Sequence, residues 1–281
     1  TRLMPCTTLP TLRSTVYRDA VFQPRKSELP FLIRFDVTNT CNQACVKCFY
    51  PEYARRGIPA TSIAIEDFER VAGQAFDYAY NLQIACVFEA LTHPRFPELV
   101  RIIDRHAIPG AGVVTNGSLL RGDRAEALAA STTIKTIAVS LDAVQPETYI
   151  KMRGRQHLNQ VLQNIEAFQE LKRARGKATP ALKFNAILAR SNLQDAPGII
   201  ETAVRLGVEE IEFFHIEPVE PANEESLIAS PQDWARMHAI LGVLAAERGI
   251  RVFLPSPFST EYGNIDPATG AWTVRVCQDI P

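Results

Sequence analysis

Apolar runs with the composition of β-strands alternate along the chain with segments in which apolar residues recur every three or four positions. The predicted strands are 31–37, 82–88, 110–115, 134–141, 181–189 and 209–216. Helical periodicity is clearest in 157–174 and 194–206, and Gly207 is well placed to end the second helix. A further helix is predicted from Ser230 to Gly249. Its predicted inward-facing residues are Trp234, Met237, Ile240, Leu241 and Leu244.

This alternation of strands and helices predicts consecutive βαβ units, in which right-handed helical crossovers connect the strands of a parallel sheet. Six units are too few to close the eight-stranded (β/α) barrel of about 250 residues. Two α/β arrangements remain open: a partial (β/α)6 TIM-like barrel and a doubly wound sheet. In both, ligands bind at the carboxyl ends of the strands.

Polar residues with ligand-binding side chains follow every predicted strand. In chain order they are Cys41, Cys45 and Cys48, then Glu89, then Asn116 in a "TNG" turn, then Ser140, Asp142 and Arg153, then Asn192, and finally His215 and Glu217. Because the carboxyl ends of parallel strands meet at one edge of the sheet, we expect these side chains to converge. Such convergence is typical of a binding or catalytic site.

The chain has 281 residues, of which 46% are hydrophobic and 22% charged, and a formal net charge of -1. This charge balance gives no sign of nucleic acid or an acidic membrane as a partner. No apolar stretch approaches the roughly 20 residues of a membrane span, and the first residues lack the apolar centre of a signal peptide. We therefore expect a cytoplasmic protein with reduced thiols. Since the chain does not start with Met, we expect it to begin inside a longer gene product.

The segment "CNQACVKC" places three of the six cysteines, Cys41, Cys45 and Cys48, in a C-x3-C-x2-C pattern. A disulfide would leave one thiol over and fits a reducing compartment poorly. A structural zinc site needs four ligands, and the fourth here would be Cys86 or a distant histidine. An iron–sulfur cube held by three thiolates leaves one iron open for a small molecule. The spacing favours the cluster, and zinc remains the alternative.

The cysteine spacing, the six βα units and the motifs at the strand ends together resemble the radical S-adenosylmethionine (radical SAM) superfamily, from about residue 31 to about residue 217. The resemblance points to the branch that carries SPASM or twitch extensions. It implies that Cys41, Cys45 and Cys48 ligate a [4Fe–4S] cluster whose open iron binds SAM. It also implies an enzyme that cleaves SAM reductively to a 5′-deoxyadenosyl radical, which takes a hydrogen atom from the substrate.

The resemblance further implies a set of residues that bind SAM. They are Glu89, Asn116, Ser140, Asp142 and Arg153. Ser140 and Asp142 lie two apart on a strand and therefore share a face, which suits contact with one ligand. Arg153 matches an arginine near the SAM carboxylate, an anion that a guanidinium fork binds well.

Three departures from the family pattern affect this prediction. In "VFEALTHP", Val87 and Phe88 replace the two glycines of the family's G-G-E-P segment, and Ala90 replaces its proline, so that Glu89 alone is retained. Lys47 stands where the family usually has an aromatic residue or histidine beside the adenine. Either the adenine is covered differently, or one of the aromatic rings that follow Cys48 moves in.

Three further residues, Tyr50, His215 and Glu217, lie where a substrate would meet the cofactor, and we expect them to contact it. A histidine at a strand end is also a common packing residue. His93 and His106 flank the predicted helix "PRFPELVRIID", and this position favours structural roles for both.

Three segments are predicted along the chain: a lead-in at 1–30, the partial barrel at 31–254, and the start of a SPASM- or twitch-like extension at 255–281. Cys277 resembles the first cysteine of such an extension, in which further cysteines hold auxiliary [4Fe–4S] clusters. We therefore expect an auxiliary cluster and a natural protein that continues past Pro281.

The short lead-in favours a small-molecule biosynthetic substrate that undergoes oxidation, epimerisation or rearrangement. Modification of a peptide or protein side chain is the alternative within the family. An iron–sulfur electron carrier and a zinc-binding interaction module are the rival interpretations from other classes. An electron donor such as flavodoxin or ferredoxin is the expected protein partner, without a nucleic acid or membrane partner.

Overall fold

The computed structural model describes residues 32–46, 48, 50–216 and 224–258. These residues form a sheet of seven strands, all parallel, whose spatial order follows the chain order. The strands are β1 (Leu32–Phe35), β2 (Asn81–Ile84), β3 (Gly110–Thr115), β4 (Ile134–Ser140), β5 (Ala181–Leu188), β6 (Glu210–His215) and β7 (Arg251–Phe253). Because the order never reverses, the fold is the open partial barrel and not a doubly wound sheet.

Helices occupy the connections between successive strands. They are α1 (Tyr50–Arg55), α2 (Ile65–Ala75), α3 (Phe96–Ile103), α4 (Gly122–Ala130), α5 (Pro146–Arg153), α6 (Leu158–Ala174), α7 (Ala196–Arg205) and α8 (Pro231–Arg248). Within the described ranges, no helix is both long enough and apolar enough to cross a membrane.

The two faces of the sheet differ in burial, as β5 shows. On one face Leu182, Phe184, Ala186 and Leu188 are fully buried in the apolar core beneath the helices. On the other, Lys183 and Asn185 are half-buried and Ile187 is 39% exposed. We call the first the outer face and the second the inner face. The inner face lines the open interior of the partial barrel.

Aromatic rings fill much of the core between the outer face and the helices. Phe68 of α2 packs edge-on against Phe35 of β1 and against Phe76, with ring centroids 5.6 Å and 5.5 Å apart. Trp234 of α8 is fully buried. Large buried rings contribute strongly to the hydrophobic stabilisation of such a layer.

The structure confirms the predicted α/β partial barrel and adds one strand to the predicted six. That strand, β7, has three residues, too few for an alternation to show in the sequence. The predicted second strand, 82–88, is too long: it ends at Ile84, because Ala85 adopts a left-handed backbone with a φ of 67°. The prediction that Ile240 faces inward is wrong, since its side chain is 46% exposed and the neighbouring Leu241 takes the buried position.

Several predicted features lie outside the described residues. These are the 1–30 lead-in, Glu217, Cys277 and all but the first four residues of the 255–281 extension. The boundaries between the three predicted segments therefore stay predictions.

Candidate active site

The cysteine motif lies in the connection between β1 and α1, at the carboxyl edge of the sheet. Cys41, Cys45 and Cys48 line one pocket of about 340 Å³. Small-molecule sites have volumes of roughly 300–1,000 Å³. The same pocket is lined by Glu89, Asn116, Ser140, Asp142 and Arg153. The structure thus brings the predicted SAM-binding residues together with the three cysteines, while their roles toward a cofactor stay predictions.

Hydrogen-bond donors approach all three motif sulfurs, and the donor to Cys48 Sγ is Tyr50 N–H at 3.4 Å. Gln43 N–H donates to Cys41 Sγ over 3.5 Å, and Asn116 Nδ2 lies 3.9 Å from the same atom. Arg153 Nη1 lies 3.9 Å from Cys45 Sγ. Donors of this kind stabilise metal-bound thiolates and tune the properties of iron–sulfur clusters.

Zinc and an iron–sulfur cluster differ in how their protein ligands are arranged. Among the described residues, no three His, Cys, Asp or Glu side chains converge closely enough to hold one metal ion. A tetrahedral zinc site requires that convergence, whereas each thiolate of a [4Fe–4S] cube binds a different iron. Cys86, the fourth thiol considered for zinc, lines the same pocket but is exposed. The three motif cysteines in one pocket fit the three-thiolate ligand set of a [4Fe–4S] cluster.

Burial also affects the protonation of the thiols. It raises the pKa of Cys41 to about 12. It raises the pKa of Cys45 as well, although the Arg153 guanidinium opposes that shift. Both side chains are protonated thiols at neutral pH when no metal is bound, so metal binding must displace their protons.

The C-terminal end of α5 is attached to the cysteine loop. Ala44 N–H and Val46 N–H donate to the backbone carbonyls of Arg153 and Met152 over 3.4 Å and 3.2 Å. Gly154 ends α5 with a φ of 68°, and a Cβ atom there would overlap the Ala44 carbonyl. Glycine satisfies both the backbone conformation and the close approach.

Glu89 follows β2 and is 3% exposed. Its carboxylate accepts hydrogen bonds from Thr115 Oγ1 at 2.7 Å, from Asn116 N–H at 2.6 Å and from Leu91 N–H at 3.2 Å. Burial raises the pKa of this carboxyl group, and the three hydrogen bonds oppose the shift. A cation bound in the pocket would stabilise the ionised form further, which makes Glu89 a suitable partner for an ammonium group.

Asp142 and Arg153 form an ion pair within the pocket wall. Asp142 Oδ2 lies 2.8 Å from Arg153 Nε, and the two side chains are 6% and 9% exposed. Asp142 Oδ1 also accepts a hydrogen bond from Ile187 N–H at 2.8 Å. Burial works against the charged guanidinium, but the Asp142 carboxylate, the Cys45 sulfur and the Tyr149 hydroxyl together outweigh it and hold the pKa of Arg153 above its ordinary value. Each charge therefore keeps the other in place, because neither is stable alone in a buried position.

Tyr50, a predicted substrate contact, is not among the described residues that line the pocket. It begins α1, and its backbone N–H donates to Cys48 Sγ over 3.4 Å. Its ring packs edge-on against Phe88 with centroids 6.2 Å apart. Phe88 does line the pocket, so Tyr50 supports the wall from behind.

His215, the second predicted substrate contact, lies on the outer face of β6, away from the pocket. Its ring stacks on Phe258 with centroids 4.4 Å apart and meets Trp234 edge-on at 5.0 Å. Burial lowers the pKa of His215. This position does not support contact with a substrate. The alternation of side chains along β6 indicates that His215 lies on the outer face. Phe213, two residues earlier on the same face, is 2% exposed.

The apolar and neutral part of the pocket wall was not predicted from the sequence. The additional lining residues are Gln43, Ala85, Cys86, Val87, Phe88, Val114, Thr115, Met152 and Ile187. Val114 and Ile187 share the inner face with Ser140, so strand alternation could have identified them. Gln43 lies inside the motif, and its Nε2 donates to Tyr149 Oη at 3.1 Å.

The family model of the radical SAM superfamily matches residues 35–181, just over half of the 281 residues. The AdoMet-dependent heme synthase of Methanosarcina barkeri is 26% identical over 211 residues, which cover 74% of this chain and 56% of that protein. The antilisterial bacteriocin subtilosin biosynthesis protein AlbA of Bacillus subtilis is 28% identical over 130 residues, which cover 45% of this chain and 28% of that protein.

Among solved structures, Streptococcus suis SuiB bound to the precursor peptide SuiA superposes with a TM-score of 0.65 at 17% identity. That match covers 89% of this chain and 56% of SuiB. At this identity the likeness shows the fold alone. The chain thus spans little more than half the length of the heme synthase and less of AlbA. By the family match, the chain belongs to the radical SAM superfamily, whose enzymes use a [4Fe–4S] cluster and SAM.

Proposed function

We propose that this chain is the catalytic barrel of an enzyme that cleaves SAM reductively and removes a hydrogen atom from a small-molecule biosynthetic substrate. The observation that carries the proposal is the single pocket lined by the three motif cysteines together with Glu89, Ser140, Asp142 and Arg153. An electron carrier would need the cysteines alone. A SAM site needs, in addition, groups that meet an ammonium, a carboxylate and a ribose.

Each polar group of the pocket has a role in this proposal. The three cysteines hold the cluster and leave one iron for the amino and carboxylate groups of SAM. Glu89 supplies negative charge for the SAM ammonium group. Arg153 supplies positive charge for the carboxylate, and its ion pair with Asp142 orients it before SAM binds. The Ser140 hydroxyl contacts the ribose of SAM in this proposal.

With the cluster and SAM bound, the chemistry supplied there would be transfer of one electron from the reduced cluster to the sulfonium, which would give methionine and a 5′-deoxyadenosyl radical. The contribution of the chain is to orient the reactants and to keep water away. Val87, Phe88, Met152 and Ile187 supply apolar parts of the wall. A dry wall protects a reactive intermediate from side reactions.

The inner face beside the pocket favours a small polar substrate. Asn185 lies in register between Ser140 of β4 and Glu212 of β6. Its Oδ1 atom is buried and has no hydrogen-bond partner among the described residues. Lys183 and Glu212 form an ion pair on the same face, with Nζ and Oε2 3.1 Å apart. A substrate hydroxyl or amino group would satisfy the Asn185 oxygen.

Modification of a peptide or protein side chain is the second candidate. It is favoured by the match to a bacteriocin biosynthesis protein and by the likeness to SuiB bound to its precursor peptide. The heme synthase supports the small-molecule proposal instead. Deuterated candidates of both kinds separate the two, because the substrate is the molecule that transfers deuterium into 5′-deoxyadenosine.

The reaction class is tested by reconstituting the protein with iron and sulfide without oxygen and measuring 5′-deoxyadenosine after adding dithionite and SAM. Dithionite stands in for the proposed cytoplasmic donor, a flavodoxin or ferredoxin. We expect wild-type protein to form the nucleoside, and we expect the Cys41→Ala, Cys45→Ala, Cys48→Ala triple variant to lose the cluster of the motif and to form no nucleoside. Cys86→Ser, which changes a thiol of the same pocket outside the motif, should retain both cluster and cleavage.

Two outcomes would contradict the proposed function. A cluster that assembles but leaves SAM intact would favour an electron carrier. Bound zinc without sulfide would favour the interaction module. The auxiliary cluster proposed at Cys277 is examined separately, as iron that remains in the triple variant of the full-length protein.

A further inference from the structure

The loop that follows β2 has an unusual backbone for its sequence. Ala85 has a φ of 67° and is, within the described ranges, the one non-glycine residue with a positive φ. Cys86, Val87 and Phe88 come next, without a glycine, and all four residues line the pocket. A residue with a Cβ atom keeps such a conformation only where the surrounding contacts enforce it.

Asp36 supplies those contacts. Its Oδ1 atom accepts the backbone N–H groups of Cys86 at 2.8 Å, Val87 at 3.2 Å and Phe88 at 3.3 Å. Successive N–H groups that point to one place form a concave site for an anion. Here the anion is a carboxylate of the chain itself, carried by the residue directly after β1.

Backbone hydrogen bonds extend the attachment on both sides. Ala85 N–H donates to the Phe35 carbonyl, and Glu89 N–H donates to the Thr40 carbonyl, each over 3.0 Å. Thr40 directly precedes Cys41. The loop from Ala85 to Glu89 is therefore attached, at both ends and in its middle, to the stretch of chain that leads into the cysteine motif.

We propose that Asp36 is a positioning residue for SAM, which holds the glycine-free loop in shape so that Glu89 and the loop backbone meet the SAM amino group. This inference rests on the proposed SAM site. Asp36 is not among the described residues that line the pocket, so it acts from behind the loop. Without its carboxylate the three N–H groups lose their common acceptor, Ala85 relaxes to a negative φ, and Glu89 moves with it.

A matched control exists at the opposite end of the strands. Asp104 Oδ1 accepts three hydrogen bonds from the loop that precedes β4: Ser131 Oγ at 2.6 Å, Thr132 N–H at 3.1 Å and Thr133 N–H at 2.9 Å. Asp104→Ala therefore removes the same kind of carboxylate contact as Asp36→Ala, but away from the pocket.

The test measures SAM binding by equilibrium dialysis under argon, together with iron content, sulfide content and Tm. We expect Asp36→Ala to weaken SAM binding roughly tenfold or more, as removal of supporting partners of a metal site often does, while its iron and sulfide stay at the wild-type level. Asp104→Ala should lose comparable thermal stability and bind SAM as tightly as wild type.

Two further variants test the physical cause. Asp36→Asn should recover most of the SAM affinity, because the amide oxygen still accepts hydrogen bonds. Adding Ala85→Gly to Asp36→Ala should recover part of it, because glycine adopts a φ near that of Ala85 without steric strain.

The inference is overturned if Asp36→Ala binds SAM as wild type does, or if it loses the cluster along with SAM. Equal weakening by Asp104→Ala would overturn it too, since the effect would then be one of general stability. Wild-type protein that holds its cluster and does not bind SAM would refute the proposed function instead.

Discussion

The inner and outer faces of the sheet are built from the same strands but have different chemistry. On β5 the outer face carries Leu182 and Phe184, both fully buried, whereas the inner face carries Lys183 and Asn185, both half-buried. The outer face closes a core, and every polar group there would cost free energy. The inner face keeps polar groups accessible at the pocket. Substitutions on the outer side should therefore change stability alone, whereas those at the carboxyl edge should also change cofactor binding.

Arg153→Met is the strongest test of this contrast. It leaves the buried Asp142 carboxylate without its partner, and we expect a loss of about 3–5 kcal/mol in the free energy of unfolding. Arg248 pairs with Glu201 on the helical surface at 2.8 Å, with the two side chains 41% and 47% exposed. Arg248→Met should cost far less, because water and salt screen an exposed ion pair. Urea unfolding of both variants measures the difference.

The same pair of variants also separates cofactor binding from stability. Arg153→Met should weaken SAM binding and Arg248→Met should leave it unchanged. Equal losses of stability in the two variants would mean that the pocket charges are no more tightly coupled than a surface pair.

Gly154→Ala should have a smaller effect on stability and a specific effect on the cluster. Gly154 and Gly249 both end helices in the left-handed region, with φ values of 68° and 65°. The left-handed backbone alone should cost alanine about 1–2 kcal/mol at either position. A Cβ at Gly154 overlaps the Ala44 carbonyl, whereas nothing lies within 4 Å of one at Gly249. Iron content after reconstitution should therefore fall in Gly154→Ala alone.

For this pair, a larger fall in Tm together with a lower iron content in Gly154→Ala would support the separation of the two regions. Full iron content in Gly154→Ala would contradict it, because the cysteine loop would then tolerate displacement by the helix end.

His215→Phe should have the smallest effect on cofactor chemistry, since His215 belongs to the outer face. We expect unchanged SAM cleavage and a changed dependence of stability on pH. The pKa of His215 is lowered by burial from its ordinary 6.5, with the hydrogen bond to the Ser256 carbonyl opposing the shift and the nearby His238 adding to it. The unfolded chain therefore binds this proton more readily than the folded one.

It follows that wild-type protein should lose stability as pH falls through about 6.5 toward the lowered pKa, and that His215→Phe should lose less over this window. Unfolding experiments between pH 5 and pH 8, as a rough range around that value, check the sign. Impaired SAM cleavage in His215→Phe would restore His215 as a candidate substrate contact.

Long-range geometry explains most of what the sequence did not predict. The contacts of Asp36 with the loop after β2 and the pairing of Asp142 with Arg153 each join residues of separate elements. The residue types predict neither contact. A carboxylate at a strand end has the same sequence pattern whether it binds a ligand or the backbone of a loop. The orientation of His215 was predictable in principle, since residues two apart on β6 share a face.

The sequence by itself determined the alternation of strands and helices, and with it a parallel α/β fold, because hydrophobic periodicity follows from local backbone geometry. It also determined the cysteine spacing, which identifies the family. Only the tertiary structure decided that the strand order never reverses, that a short seventh strand extends the sheet, and that Asp36 binds the loop after β2. These depend on contacts between residues far apart in the chain, which no local pattern encodes.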